Sequence, residues 1–225
     1  MKSFICFILC ILAISSLAEA KLNVLIVYAH QEPKSFCAAM KDTCVKTLTD
    51  KGHDVVVTDL YKLGMFNRLD KSDFTELYDP TYFRPQDEQL AANKKNRTTF
   101  VEELRREHDR AEWADAILFI YPLYLGYVPG IVQAWMERVM SRGFAFGGDV
   151  YHLKGKRVML VYSTGAPKAA MEKVTKIMQL ILYTCYSGMQ MVTLDPFAAY
   201  GISYNTEEDR KKYLQDLAEV MNNLA

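Results

Sequence analysis

Three short segments hold side chains and backbone suited to a phosphate-bearing flat ring. The first, Ala29-His30-Gln31-Glu32-Pro33-Lys34-Ser35-Phe36, gathers an imidazole, an ammonium group and a hydroxyl just ahead of a helix start. His30, Lys34 and Ser35 can each donate to a phosphate, and the free N–H groups of a helix N-terminus favour an anion. A plain helix cap beside a solvated lysine accounts for the same residues. The segment is neither a Walker P-loop nor a G-x-G-x-x-G turn, so nucleotide hydrolysis and Rossmann-type dinucleotide binding are unsupported. The second segment, Tyr121–Pro129, sets aromatic rings around Gly126, where backbone can approach a ligand closely. An aromatic cluster that closes a sheet edge is the alternative. The third, Ser163-Thr164-Gly165-Ala166-Pro167, offers N–H donors among small residues before another helix. Each segment is unspecific by itself. Their conjunction suits a nucleotide-linked ring better than a charged sugar or a peptide, and it suggests a flavin.

Each segment follows a run that reads as a strand. Leu22–Ala29, Ala116–Tyr121 and Arg157–Ser163 are nearly continuous apolar runs, the mark of strands buried on both faces. Asp54–Leu60 and Met189–Asp195 read as two more. Helical patterns cover Ser35–Lys51, Arg97–Trp113, Pro129–Arg142, Pro167–Tyr186 and Thr206–Leu224. In the first of these Phe36, Ala39, Met40, Val45 and Leu48 are expected inside, and Gly52 ends it. Arg97–Trp113 is expected to be a charged surface helix. The last opens on a capping box at Thr206. Tyr61–Asn96 reads as a long irregular stretch. Five strands alternating with helices predict one α/β domain with a five-stranded parallel sheet, and right-handed crossovers admit the order 2-1-3-4-5. Open sheets of this kind bind ligands beyond the carboxyl ends of their strands, which is where the three segments fall.

The sequence resembles the flavodoxin-like NAD(P)H:quinone oxidoreductases, the DT-diaphorase-like family, over about residues 22–220. The resemblance is carried by Leu25–His30, Ser35-Phe36, Asp59-Leu60-Tyr61 and Asp79-Pro80, then by Trp113-Ala114-Asp115 and Pro122-Leu123. It continues through Val128-Pro129, Trp135, Glu137-Arg138-Val139, Gly143-Phe144-Ala145, Thr164-Gly165 and Tyr200-Gly201-Ile202. It implies a flavodoxin-like three-layer sandwich, FAD as cofactor (FMN being possible), NAD(P)H as electron donor, a quinone as acceptor, and a homodimer with its sites at the interface. By similarity, His30, Lys34, Ser35, Phe36, Cys37 and Arg84 lie along the FAD phosphates and adenosine. Pro122, Leu123, Tyr124, Leu125 and Gly126 border the isoalloxazine. Ser163, Thr164, Gly165 and Ala166 donate to its carbonyl edge, and Phe146 and Tyr151 are candidates for the acceptor pocket. The reaction implied is a ping-pong, two-electron hydride transfer. The sequence also departs from the animal members. Met171 and Ile177 stand where those carry a Tyr and a His, and Tyr124-Leu125-Gly126 replaces Gln-Trp-Phe. A non-catalytic flavin-binding or interaction protein, or an FMN-dependent reductase or azoreductase, are the competing readings.

Composition bounds the rest. Of 225 residues, 50% are hydrophobic and 12% aromatic, which excludes a disordered chain. The 27 basic and 27 acidic residues cancel, leaving no electrostatic pull toward nucleic acid. Met1–Ala20 has the basic start, apolar run (Phe4–Ile14) and Ala18-Glu19-Ala20 ending of a secretory signal peptide. The run is shorter than the ~20 residues of a membrane span, although an anchor is the alternative. The expectation is therefore a secreted or luminal protein whose flavin-binding domain is residues 21–225, with no later span. Asn96-Arg97-Thr98 is a glycosylation sequon. Cys37, Cys44 and Cys185 form no disulfide framework, and the four histidines show no metal-ligand spacing. His53 is expected in a surface turn and His108 on the charged helix. Cys37 reads either as a helix-start thiol of lowered pKa or as a small packing residue. Glu137 and Arg138 are expected to form ion pairs that fix the helix or the dimer.

Overall fold

The computed structural model describes residues 20–64 and 68–224. All but the last residue of the expected leader peptide lies outside them. Strands β1 (Asn23–Tyr28), β2 (Asp54–Asp59), β3 (Ala116–Pro122) and β4 (Arg157–Ser163) form a parallel sheet in the order β2-β1-β3-β4, continued by β5 (Val192–Thr193). The order is the expected 2-1-3-4-5. Alternate side chains explain the continuous apolar runs. Leu25, Val27, Ile117, Phe119, Leu160 and Tyr162 point to one core. Val24, Ile26, Leu118, Ile120, Met159 and Val161 point to the other.

The fifth position differs from expectation. It is shared by β5, paired with Arg157 and Val158, and by β6 (Phe197–Ala199), paired with Val161, Tyr162 and Ser163. Pro196 lies between them, and its missing N–H cannot continue a ladder.

Helix α1 (Phe36–Asp50) is capped by Ser35, whose Oγ accepts from the Ala38 N–H at 3.1 Å. Its sheet-facing seam is Cys37, Met40, Cys44 and Leu48, all buried. Phe36, Ala39 and Val45, expected inside, are only half-buried. Phe36 turns instead to Tyr213 of α7 (Glu207–Asn222), edge to face at 6.5 Å. The two cysteines serve there as small packing residues.

The stretch 61–96, expected to be irregular, contains the single-turn helix α2 (Leu60–Leu63), a 3₁₀ turn (Lys71–Asp73) and α3 (Pro85–Lys94). No apolar period announces α3 because its inner face is polar. The Glu88 carboxylate accepts from the N–H groups of Tyr78 (2.6 Å) and Asp79 (2.9 Å). Gln89 donates to the Glu137 carbonyl and accepts from the Arg142 N–H. Pro85 at its first turn suits a helix start.

Helix α4 (Glu102–Trp113) begins five residues later than expected, and part of it is core. Glu107 is buried, and its carboxylate accepts from Thr58 (2.9 Å), Trp135 (3.0 Å) and Arg110 (2.6 Å). His108 is fully buried between Phe100 and Phe144, with ring nitrogens on the Leu104 carbonyl and the Ser141 hydroxyl. His53 is buried as well, and its Nδ1 accepts from the Leu22 N–H. Helices α5 (Gly130–Val139) and α6 (Lys168–Gly188) cover the first core. Arg138 of α5 is buried in an ion pair with Asp73. Glu137 instead accepts from Gln133.

Candidate flavin site

The ends of β1, β3 and β4 bring the three segments together. The Ala29 N–H donates to the Ile120 carbonyl (2.9 Å), and the Leu123 N–H donates to the Ser163 carbonyl (2.8 Å). Cys37 Sγ lies 3.1 Å from Ser163 Oγ, and Tyr124 Oη reaches Gln31 at 3.4 Å. A fourth segment, not singled out as a site from the residues, closes the arrangement. Thr164 N–H donates to Ala199, Gly201 N–H to Ala166 and Ile202 N–H to Thr164. The loop after β6 is thus tied to the turn after β4.

In the first loop, the His30 Nδ1 accepts from the Glu32 N–H at 2.9 Å, which leaves Nε2 as the donor of the neutral ring. Burial lowers the His30 pKa, against the pull of Glu32. Ser35 Oγ caps α1, and its hydroxyl also faces Tyr28. The first-turn N–H groups of Phe36 and Cys37 have no carbonyl partner inside the helix. The Cys37 thiol is pushed up to about 11 by burial, with the Ser163 hydroxyl bond opposing the shift. Burial thus keeps the thiol protonated, in keeping with a packing role.

The loop after β3 is a two-residue hairpin turn. Tyr124 and Tyr127 exchange both backbone hydrogen bonds, with Leu125 at φ +50° and Gly126 at φ +77°. Two positive φ values match the twist of the flanking backbone. Gly126 is also required sterically, because a Cβ there would meet Val174 Cγ1 of α6 at 2.4 Å. A Cβ on Gly165 would meet Ser203 Oγ at 2.7 Å. Leu125 has no such excuse: a leucine in the left-handed region is strained, and its side chain is fully exposed. Leu125→Asn, which tolerates that region, is expected to raise stability by about 1 kcal/mol, read as a higher urea midpoint at unchanged m-value.

Three expected residues come from outside the strand-end segments. Arg84 precedes α3, stacks on the Tyr82 ring at 4.9 Å and lies 3.9 Å from Asp87. Phe146 lines an apolar groove between α5 and α6 together with Tyr127 of the second segment, and Tyr151 sits in the segment leading to β4. Among the described residues, no hydrogen bond connects these three side chains to the strand-end loops. Conversely, Arg210 and Lys211 of α7 border a cleft of about 430 Å³ with Lys34, Ser35, Phe36 and Leu214. Reading the sequence missed them because an exposed basic pair on a charged helix carries no signal.

Met171 reaches toward the Gly126 turn, and Ile177 is exposed on α6. The nearest hydroxyls on α6 form another network: Thr175 Oγ1 lies 3.2 Å from Tyr200 Oη, and Gln179 donates to Tyr162 Oη at 2.6 Å. Among the described residues no cluster of His, Cys, Asp or Glu could hold a metal ion, and no helix is long and apolar enough to cross a membrane.

A parallel sheet of this order, with helix starts and a small-residue turn at its carboxyl edge, defines the flavodoxin-like class. A family model described as flavodoxin-like fold matches residues 22–223. The mouse (Mus musculus) ribosyldihydronicotinamide dehydrogenase [quinone] is 34% identical over 213 residues, covering 90% of this chain and 91% of that protein. NAD(P)H dehydrogenase [quinone] 1 of Cavia porcellus is 31% identical, covering 90% and 77%. A solved structure assigned as a quinone reductase of Klebsiella pneumoniae superposes with a TM-score of 0.80 at 27% identity, covering 91% and 85%. The chain belongs to the flavodoxin-like family of flavin-dependent quinone oxidoreductases.

Proposed function

We propose that this protein is an FAD-dependent reductase that moves two electrons from a dihydronicotinamide donor to a quinone, as a homodimer in the secretory lumen or outside the cell. The observation that carries the reading is the convergence of the three strand-end segments, fixed by the Leu123–Ser163 and Cys37–Ser163 contacts. The residues fit a flavin. Among the described residues the Gly126 and Gly165 N–H groups make no hydrogen bond, so they are free to meet ring carbonyls. At Gly126 a side chain is opposed both by Val174 and by the positive φ, and at Gly165 it would require the Ser203 hydroxyl to turn away. The α1 start supplies a phosphate site through the Phe36 and Cys37 N–H groups, Ser35 and Lys34. When bound, the flavin supplies reversible hydride transfer between donor and acceptor.

FAD is favoured over FMN by the cleft that continues past Ser35 to Arg210 and Lys211. It offers Lys34 and Arg210, beside a Lys211–Glu207 ion pair (2.8 Å), and room for a second phosphate and an adenosine. The donor is NAD(P)H or the shorter ribosyldihydronicotinamide named for the mouse relative. The dimer reading is supported by a groove of about 640 Å³ lined by Tyr127, Met136, Met140, Leu182 and Tyr186, beside exposed Ile181. The luminal location rests on the Met1–Ala20 pattern. Met171 and Ile177 support a second reading, a secreted flavin-binding protein without turnover.

One experiment separates these. Purified Lys21–Ala225 is expected to be yellow, with a flavin spectrum that NADPH or ribosyldihydronicotinamide bleaches without oxygen and menadione restores. A flavin that neither donor bleaches favours the binding reading. A colourless protein that takes up neither FAD nor FMN overturns both. Extracted cofactor mass decides between FAD and FMN.

A further inference from the structure

We propose that Asn96 carries an N-linked glycan. The inference rests on the luminal reading above, and on geometry that the sequon alone does not supply. Asn96 and Thr98 are both exposed, in the turn that joins α3 to α4. Among the described residues the Asn96 side chain makes no hydrogen bond. The turn is closed by backbone bonds from the Asn96 N–H to Asn93 (3.0 Å) and from the Arg97 N–H to Ala92 (2.8 Å). Asn96 has φ +54°, a left-handed conformation that asparagine tolerates. Its neighbour is turned inward: Arg97 pairs with Glu112 at 2.8 Å and packs on the Phe144 ring. Anchoring of Arg97 leaves the asparagine on the outer side of a fixed turn, with Lys94 and Lys95 also exposed beside it.

The position is compatible with the flavin site. Glu112, which holds Arg97, is itself bound through its carbonyl to Lys156, the residue before β4. Asn96 therefore belongs to the amino-terminal edge of the sheet, whereas the flavin loops occupy the carboxyl edge, about 20 Å away along a seven-residue strand. It is clear of the α5–α6 groove too. Helix α3 gives Pro85, Gln86 and Gln89 to that groove, and Asn96 lies beyond the other end of α3.

The modification is a group transfer. The Asn96 amide nitrogen forms a bond to the anomeric carbon of a lipid-pyrophosphate-linked oligosaccharide. The bond from that carbon to the pyrophosphate oxygen breaks, the lipid pyrophosphate leaves with the electron pair, and the amide proton passes to a base. Nothing is oxidised or reduced.

The test is expression of the full chain in a eukaryotic secretory host. A parallel form has residues 1–20 replaced by an unrelated secretory leader. Both secreted forms are expected to shift in mass on treatment with a peptide-N-glycosidase. The shift should be lost in Asn96→Gln and Thr98→Ala and kept in Thr98→Ser. Enzymatic release in heavy-oxygen water should convert Asn96, and no other residue, to labelled aspartate. If only the leader-replaced form is glycosylated, the native leader reading fails and the proposal falls with it, although Asn96 is then shown to be a competent acceptor. If the leader-replaced form is secreted in folded form without a glycan at Asn96, the proposal is overturned, whatever the native leader does.

Discussion

Arg138→Met is expected to lower folding stability by about 3–5 kcal/mol, because it strands the Asp73 carboxylate in the core. Asp73 is fully buried and Arg138 nearly so. Asp73 also closes the 3₁₀ turn at Asp70, so its removal would loosen two elements. Burial raises the Asp73 pKa even with the guanidinium pulling it down. The cost of burying both charges offsets much of their mutual attraction. Neutralising both partners, Asp73→Asn with Arg138→Met, should recover most of the loss. Urea unfolding of the four proteins in a double-mutant cycle measures it. With total stabilities of about 5–15 kcal/mol for natural proteins, the single variant will sit near the unfolding threshold. A single variant as stable as the parent would show that the charge is relieved elsewhere.

Acid should destabilise the protein through His108. Burial, then the nearby Arg97 charge, pushes its pKa down to about 3. The unfolded chain takes up a proton near pH 6.5 that the folded chain refuses. Stability is therefore complete above pH 6.5 and falls as pH drops from there toward 3, by about 1.4 kcal/mol per unit. At pH 5 the loss is about 2 kcal/mol. The charged groups around the ring are Arg97 from the α3–α4 turn, Glu112 on α4 itself, and His152 from the segment before β4. Carboxylates contribute their own acid dependence, so the readout is the difference in slope between the parent and His108→Gln from pH 6.5 to 4.5. Equal slopes would mean that His108 is protonated in the folded state.

How much of this could be read beforehand depended on what each residue packs against. Strands β1, β3 and β4 were legible because both faces are apolar, so continuous runs left one architecture. The start of α7 was legible because its capping box is local, with Thr206 and Asp209 bonding each other's backbone. The strand-end loops were legible as a group because the sheet order follows from crossover handedness. Helix α3 was hidden because it is held by Glu88, Gln89 and Asn93 rather than by apolar side chains. His108 and Glu107 looked solvated because their partners, Ser141, Trp135 and Thr58, come from distant parts of the chain. The left-handed Leu125 and the Ser203 approach to Gly165 are tertiary facts with no local pattern. Arg84 was placed by resemblance, and Phe146 and Tyr151 by their position after the Gly143-Phe144-Ala145 segment; no local pattern ties these three to the loops.

The divided fifth strand has a further consequence. An open sheet exposes two rows of unpaired backbone, which can template strand addition and aggregation. On one side β5 and β6 offer only short pieces separated by Pro196, too brief for another chain to register against. On the other side β2 begins and ends in aspartate, Asp54 held by Lys21 at 2.8 Å. Both borders are thus blunted against edge-to-edge growth into open-ended fibres.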